Sequence, residues 1–353
     1  MNTLTTDKIR ELHYIFSCAS KISIVTHMKP DGDAIGSSTA LYHVLKSYGK
    51  RASIVVADPI PGNIDFLITE DMVQDMCIYN SEPEKAKNAL VCSDLIICLD
   101  FNAFHRTGSL EDFLSGSDAK KILIDHHLAP DLDQFSIAFS VQDISSASEL
   151  LYYILMQLPH IGNDARNLPH KAAISLLTGM TTDTNNFMNS VYPSTLRMAS
   201  ALLEAGVDRD AIVQNLYFRF KESRIRLQGL ILDKIMKLTP DGVAFIILDS
   251  ETLDKYGVEE GDTEGFVNIP LSIRNVVMSI LIKEDSGKAR VSIRSKKGIS
   301  ANRCARLHFN GGGHENAAGG KLRIPEDIEN ISLAEEYIRT HTHIFITEEN
   351  EQN

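Results

Sequence analysis

The chain has 353 residues, a formal net charge of −12 and five cysteines, with 43% hydrophobic and 23% charged residues. That length exceeds one ordinary core and predicts two domains, and the hydrophobic share is that of a globular protein. The acidic balance excludes a protein that coats long duplex nucleic acid, and an odd cysteine count without a Cys-x-x-Cys pair excludes a disulfide framework or thiolate zinc site and suits a reducing cytoplasm.

From the N-terminus, Met1–Tyr14 is polar and carries no apolar signal core. The longest aliphatic runs, such as Val243–Leu248, fall far short of the ~18 residues that span a bilayer, so no membrane partner is expected. Ile22–Thr26 reads as a strand, and Ile35–Tyr48 as a helix stopped by Gly49. Ser53–Ala57, Leu95–Leu99 and Lys121–Ile124 are further short apolar runs. Nearly continuous apolar strands fit a parallel sheet covered on both faces. Helices follow at Glu149–Leu158 and Leu168–Met180. From Thr195 to Leu238 the pattern is helical, interrupted at Gly206, with Arg219–Lys237 as a connecting helix.

Beyond Pro240 the strands Val243–Leu248, Val276–Lys283 and Ala289–Ser295, a turn at Asp285–Gly287, and helices at Ser300–His308 and Ser332–Thr340 predict a smaller domain. The acidic tail Glu348–Asn353 is expected to fray. The fold class is α/β: a parallel-sheet domain over 1–205, a helical linker over 206–239, and a second α/β domain over 240–345.

The chemistry-bearing residues share one placement. His27, Asp31 and Asp33 follow the first strand, Asp100 follows Leu95–Leu99, and Asp125, His126 and His127 follow Lys121–Ile124. Asp183, in Thr-Asp-Thr-Asn-Asn, follows a helix. Open parallel sheets bind ligands outside their C-terminal strand ends, so at least three loops should converge there. Crowded carboxylates repel one another, and divalent cations remove that cost. Oxygen and imidazole donors without thiolate suit manganese or magnesium better than structural zinc. Asp31, Asp33, Asp100 and Asp183 carry four charges when ionised, which two divalent ions neutralise while still accepting a phosphate. Asp31 and Asp33 flanking Gly32 also fit plain turn chemistry or a helix cap.

These residues resemble the DHH phosphoesterase family, named for a motif matching Asp125-His126-His127. Gly311–Gly320, Gly-Gly-Gly-His-Glu-Asn-Ala-Ala-Gly-Gly, is similar to the signature of the DHH-associated domain, so the resemblance runs from about Ile22 to Arg323. It implies one metal held by His27, Asp31 and Asp100, and another by Asp33, Asp100, His126 and Asp183, with Asp100 bridging. The metals would be manganese, with magnesium or cobalt as substitutes. Asp100, His127 and Asp125 would be catalytic, with His127 facing substrate and Asp125 orienting a ligand. Asn185-Asn186 departs from relatives that often carry glycine there, which should alter pocket shape but not metal binding.

Ser286–Arg306 holds seven basic and no acidic residues, Arg294 among them. Arg suits phosphate oxygens, and Gly311, Gly312 and Gly313 admit close approach of backbone N–H groups to an anion to which His314 can donate. By resemblance, Arg294 and Gly311–His314 bind substrate. Lys296, Lys297 and the run Arg219, Lys221, Arg224 and Arg226 read as solvated charge.

The chain plan resembles the nano-RNase and 3′-phosphoadenosine 5′-phosphate phosphatase group (bifunctional oligoribonucleases). That implies hydrolysis of single strands of two to five nucleotides, RNA or DNA, entered from the 5′ end, and of that bisphosphate, in the cytoplasm, with homodimer formation left open. A cyclic or linear di-adenosine nucleotide and polyphosphate are alternative substrates; a nucleotide sensor without turnover is the reading from another class. The Walker, Rossmann and zincin motifs are absent from the sequence.

Overall fold

The aliphatic runs of the first half form a parallel sheet. In the computed structural model, which describes residues 4–259, 261–285 and 287–352, the chain divides into Met1–Arg219 and Phe220–Asn353. The first unit has six strands: β1 (Lys21–Val25), β2 (Arg51–Val56), β3 (Met76–Ile78), β4 (Leu95–Leu99), β5 (Lys120–Asp125) and β6 (Ile137–Ser140). All pair in parallel, in the order β3-β2-β1-β4-β5-β6. The order of connection reverses between β1 and β4, the kind of switch point at whose C-terminal strand ends open parallel sheets bind ligands.

Successive strand residues point to opposite faces. Ile24, Ile97 and Ile124 enter the core on one face, with Leu41, Leu150 and Leu176. Val25, Cys98 and Leu123 enter the core on the other, with Leu90 and Leu114. The first face is covered by α1 (Thr6–Cys18), α2 (Gly32–Ser47), α5 (Ala147–Met156) and α6 (His170–Asp183), and the second by α3 (Pro83–Val91) and α4 (Glu111–Ser115). Helices α7 (Pro193–Glu204) and α8 (Arg209–Tyr217) complete the unit. Helix α2 ends as its sequence dictates, with Gly49 at φ +70° past the last turn.

The short edge strands β3 and β6 were not expected, having too few residues to show a period. Nor was α1, whose polar surface hides buried Leu12, Ile15 and Phe16 at one helical stripe.

The second unit opens with α9 (Glu222–Leu230) and contains β7 (Lys237–Leu238), β8 (Val243–Leu248), α10 (Ser250–Lys255), β9 (Met278–Asp285), β10 (Lys288–Ser295), α11 (Ala301–His308), β11 (Gly312–Gly313), β12 (Ala317–Arg323) and α12 (Ala334–Gln352). Its sheet runs β11-β12-β10-β9-β8-β7, antiparallel except for β8 with β9.

The helical pattern over Thr195–Leu238 is carried by separate helices, α7, α8 and α9, and the connecting helix expected over Arg219–Lys237 forms over Glu222–Ile235. Ile212 and Leu216 of α8 are buried in the first unit's core. Leu227 of α9 and Ile231, in one π-helical turn Ile231–Ile235, pack on Ile246, Leu248 and Phe266 of the second. Lys237 is already in a strand. The tail differs from expectation too: α12 carries Glu348 and Glu349 as helix, and Glu349 is buried in an ion pair with Arg303. Ser286 of the expected turn and Asn353 lie outside the described residues. Among the described residues no helix is long and apolar enough to cross a membrane.

Candidate metal centre

Three strand ends and two helix ends bring the acidic and imidazole side chains together. Asp31 caps α2, its Oδ1 accepting the Asp33 and Ala34 amides at 3.0 and 3.1 Å, so the helix starts at Gly32, earlier than its apolar pattern suggests. The cap reading and the cluster reading of Asp31 both hold: the same Oδ1 lies 3.8 Å from His27 Nε2.

Asp100 ends β4 in the left-handed region at φ +62°, a conformation Asp tolerates better than most residues, while its amide donates to Ile124 at 3.1 Å. Its two oxygens face different imidazoles. Oδ2 is 3.6 Å from His27 Nε2, and Oδ1 is 3.3 Å from His126 Nε2. His126 Nε2 also lies 3.5 Å from Asp183 Oδ2 and 3.9 Å from Asp33 Oδ2. One donor atom each from His27, Asp31 and Asp100, and likewise from Asp33, Asp100 and His126, lies within 4.8 Å of the others. Asp125 holds His127 through Oδ1 to Nδ1, 2.7 Å, and accepts the His127 amide on Oδ2 at 3.1 Å.

Asp33 and Asp183 belong to α2 and α6, which cross antiparallel at small residues. A Cβ on Gly36 would stand 2.7 Å from Ser175 O and 2.8 Å from Gly179 Cα, and one on Gly32 would stand 2.4 Å from the Thr182 side chain. Only glycine allows that approach, and it places the start of α2 beside the end of α6. Sequence reasoning missed these glycines, whose four-residue spacing marks a close helix contact only once the partner helix is known. After Asp183 the chain turns left-handed at Asn185 (φ +47°), Asn186 (φ +56°) and Phe187 (φ +67°), which explains why asparagine or glycine suits these positions. Arg209 holds the turn by donating to Asn186 Oδ1 at 2.6 Å.

The electrostatics follow from burial of like charges. Burial and the Asp100 and Asp183 carboxylates hold the Asp33 carboxyl well above the usual range. Burial raises Asp183 to about 6, with Asp100 and Asp31 adding to the rise against the lowering effect of His126. Burial alone would lower His126, but the facing Asp100 carboxylate and the charges of Asp183 and Asp33 push it up to about 10. His27 is raised likewise by Asp100 and Asp31 against burial. A cation in place of these protons would relieve the crowding. The residues fit that exchange: Asp100 Oδ1 is buried without a hydrogen bond, and the donors are oxygen and imidazole.

The expected substrate residues lie in the second unit. Arg294 pairs with Ala317 across β10 and β12, and Gly313 with Ala318 across β11 and β12, so these positions adjoin. Arg294 Nη1 donates to Ile293 O at 3.0 Å. His314 closes the β11–β12 turn, its amide 2.7 Å from Ala317 O. Packing alone demands two of the glycines: a Cβ on Gly311 would stand 1.9 Å from Gly319 O, and one on Gly313 2.6 Å from Ala317 O. Gly312 has room for a side chain, its Cβ meeting nothing closer than Asn302 Oδ1 at 3.5 Å.

Much of the basic surplus is engaged. Arg290 pairs with Asp285 at 2.7 Å, and Lys296 donates to Ile273 O at 3.0 Å. Of the run read as a solvated face, Arg219, Lys221 and Arg226 pair with Asp65, Glu259 and Glu222. Arg224 departs from that reading. It is buried between the rings of Phe220 and Phe266, 3.6 and 4.7 Å from their centroids.

Residues 21–180 match the DHH family, N-terminal domain, and residues 242–339 match the DHHA1 domain. The chain is 33% identical over 309 residues to a bifunctional oligoribonuclease and PAP phosphatase NrnA of Thermus thermophilus, covering 86% of this chain and 84% of that one. It is 28% identical over 331 residues to the protein of the same name from Bacillus subtilis, covering 91% and 97%. Among solved structures it is similar to an exopolyphosphatase-related protein from Bacteroides fragilis, with 36% identity, TM-score 0.87, and 98% and 99% of the two chains covered.

Proposed function

The chain belongs to the DHH family of phosphoesterases, and from that premise we propose that it hydrolyses short oligoribonucleotides and 3′-phosphoadenosine 5′-phosphate with two divalent cations bound around Asp100. The observation that carries this reading is the split carboxylate: Asp100 presents Oδ2 to His27 and Oδ1 to His126. The relatives named oligoribonuclease and PAP phosphatase support the substrate class.

In this reading His27, Asp31 and Asp100 hold one cation, and Asp33, Asp100, His126 and Asp183 hold the other. Manganese is the assigned ion, on the hard donor set. Bound cations supply water activation and neutralise charge on the phosphoryl oxygens. Asp125 fixes the His127 ring through Nδ1, so Nε2 is the nitrogen that hydrogen-bonds the phosphate or gives a proton to the leaving oxygen. Arg294 and Gly311–His314 are assigned to substrate recognition. A reducing, cytoplasmic setting fits the free cysteines.

The experiment is a manganese-dependent assay of the purified chain on a 5′-labelled RNA ladder of two to five nucleotides, the bisphosphate, linear and cyclic di-adenylate, and polyphosphate. Mononucleotide release from the ladder and phosphate release from the bisphosphate are expected, both abolished by chelator. Turnover of polyphosphate alone would favour the second reading, to which the name of the Bacteroides fragilis protein points. No turnover of any arm would leave the nucleotide sensor.

A further inference from the structure

Asp33 is held by a helix far away in the sequence. Its side chain is buried, and each oxygen accepts one amide from the first turn of α5: Ala147 N to Oδ2 at 2.6 Å and Ser148 N to Oδ1 at 2.9 Å. First-turn amides have no partner within their own helix, so a carboxylate there is both satisfied and fixed in direction. The position of Asp33 is therefore set by whatever sets the start of α5.

That start is tied down by Glu149. Ser146 caps α5, its hydroxyl accepting the Glu149 amide at 2.9 Å. The Glu149 side chain reaches back, Oε2 accepting the Ser145 amide at 3.1 Å and the Ser145 hydroxyl. The same oxygen accepts the Thr195 hydroxyl of α7 at 2.7 Å, and Thr195 Oγ1 in turn accepts the Tyr192 amide at 3.0 Å. Glu149 is fully buried, and its Oε1 has no hydrogen-bond partner. Burying a carboxyl group is costly, and an apolar side chain of similar volume serves stability as well or better. What this carboxyl group does is lock Ser145–Ser148 to a second helix.

We propose that Glu149 is a positioning residue for the Asp33 carboxylate, acting through the first-turn amides of α5. The inference rests on the reading of Asp33 as a cation ligand. Residues that orient a ligand change metal affinity by roughly 10–100-fold when removed.

The test is calorimetric titration of manganese into the chelator-stripped full chain, for wild type, Glu149→Ala, Glu149→Gln and Thr195→Val, with thermal unfolding alongside. In wild type two ions bind. In Glu149→Ala one of the two weakens by about 10–100-fold and the other is unchanged. Glu149→Gln keeps an accepting oxygen toward Ser145 and Thr195 and recovers most of the affinity. Thr195→Val removes one donor and shows a smaller loss at the same ion. Unchanged affinities in Glu149→Ala, or equal weakening of both ions in step with the fall in melting temperature, overturn the proposal. If Glu149→Ala does not fold, Thr195→Val decides: wild-type affinity there overturns it. Wild type that binds no pair of ions removes the reading of Asp33 as a ligand and the inference with it; a bound pair indifferent to Glu149 removes the inference alone.

Discussion

Asp125 grips His127 twice, by its ring at 2.7 Å and by its amide at 3.1 Å, so the second histidine of the motif is fixed in both tautomer and direction by the residue two places before it. Asp125→Ala should therefore lower kcat about 10–100-fold with KM little changed, because the ring is misdirected while binding groups remain. Steady-state kinetics on the bisphosphate would show this. A change confined to KM would mean that His127 acts in binding alone.

Asp100 allows charge to be separated from backbone geometry. At φ +62° it needs a residue tolerant of the left-handed region, and asparagine is one. Asp100→Asn should thus fold normally yet lose more than about 100-fold in kcat, beyond the range for residues that only orient a ligand. Circular dichroism and turnover under saturating manganese check the two halves of that statement.

The strand-end placement was legible because β1, β4 and β5 are apolar runs that each stop at a chemistry-bearing residue. Leu95–Leu99 was bounded to the residue, and His27, Asp100 and His126 followed from that placement alone. What brings Asp33 and Asp183 to them was not legible. It depends on the crossing of α2 and α6, and glycines in a helical stretch read as weak propensity until the partner helix is known. Nor could single-sequence periodicity find β6 or place Asp33 under the amides of α5, 114 residues away. Ser146-x-x-Glu149 was a visible capping pattern, but its second role toward Thr195 is tertiary.

Gly36→Ala tests that crossing. Its Cβ would meet backbone at 2.7 Å, so neither helix can yield by rotating a side chain. Overpacking of this kind costs about 1–3 kcal/mol, which lowers Tm by roughly 2–12 °C in a unit of this size. Differential scanning calorimetry should show the fall, with a parallel loss of metal affinity. An unchanged Tm would mean the crossing has slack.

Cation binding should expel protons. Without metal, His126 is pushed up to about 10 and is protonated at pH 7, so a cation taking that nitrogen must release its proton. Titration enthalpies measured at pH 7 in buffers of different ionisation enthalpy should show net release of at least about one proton. Asp183, raised to about 6, gains a proton as pH falls through that value, so the decline of affinity with falling pH that His126 already sets should steepen below pH 6. Proton-neutral binding would place the cation away from His126.

The most direct measurement is anomalous diffraction at the manganese edge from crystals soaked in manganese. The account predicts two peaks about 3.5–4 Å apart, one beside His27 and one beside His126, with the Asp100 carboxylate reaching both. A single peak, or peaks remote from Asp100, would contradict it.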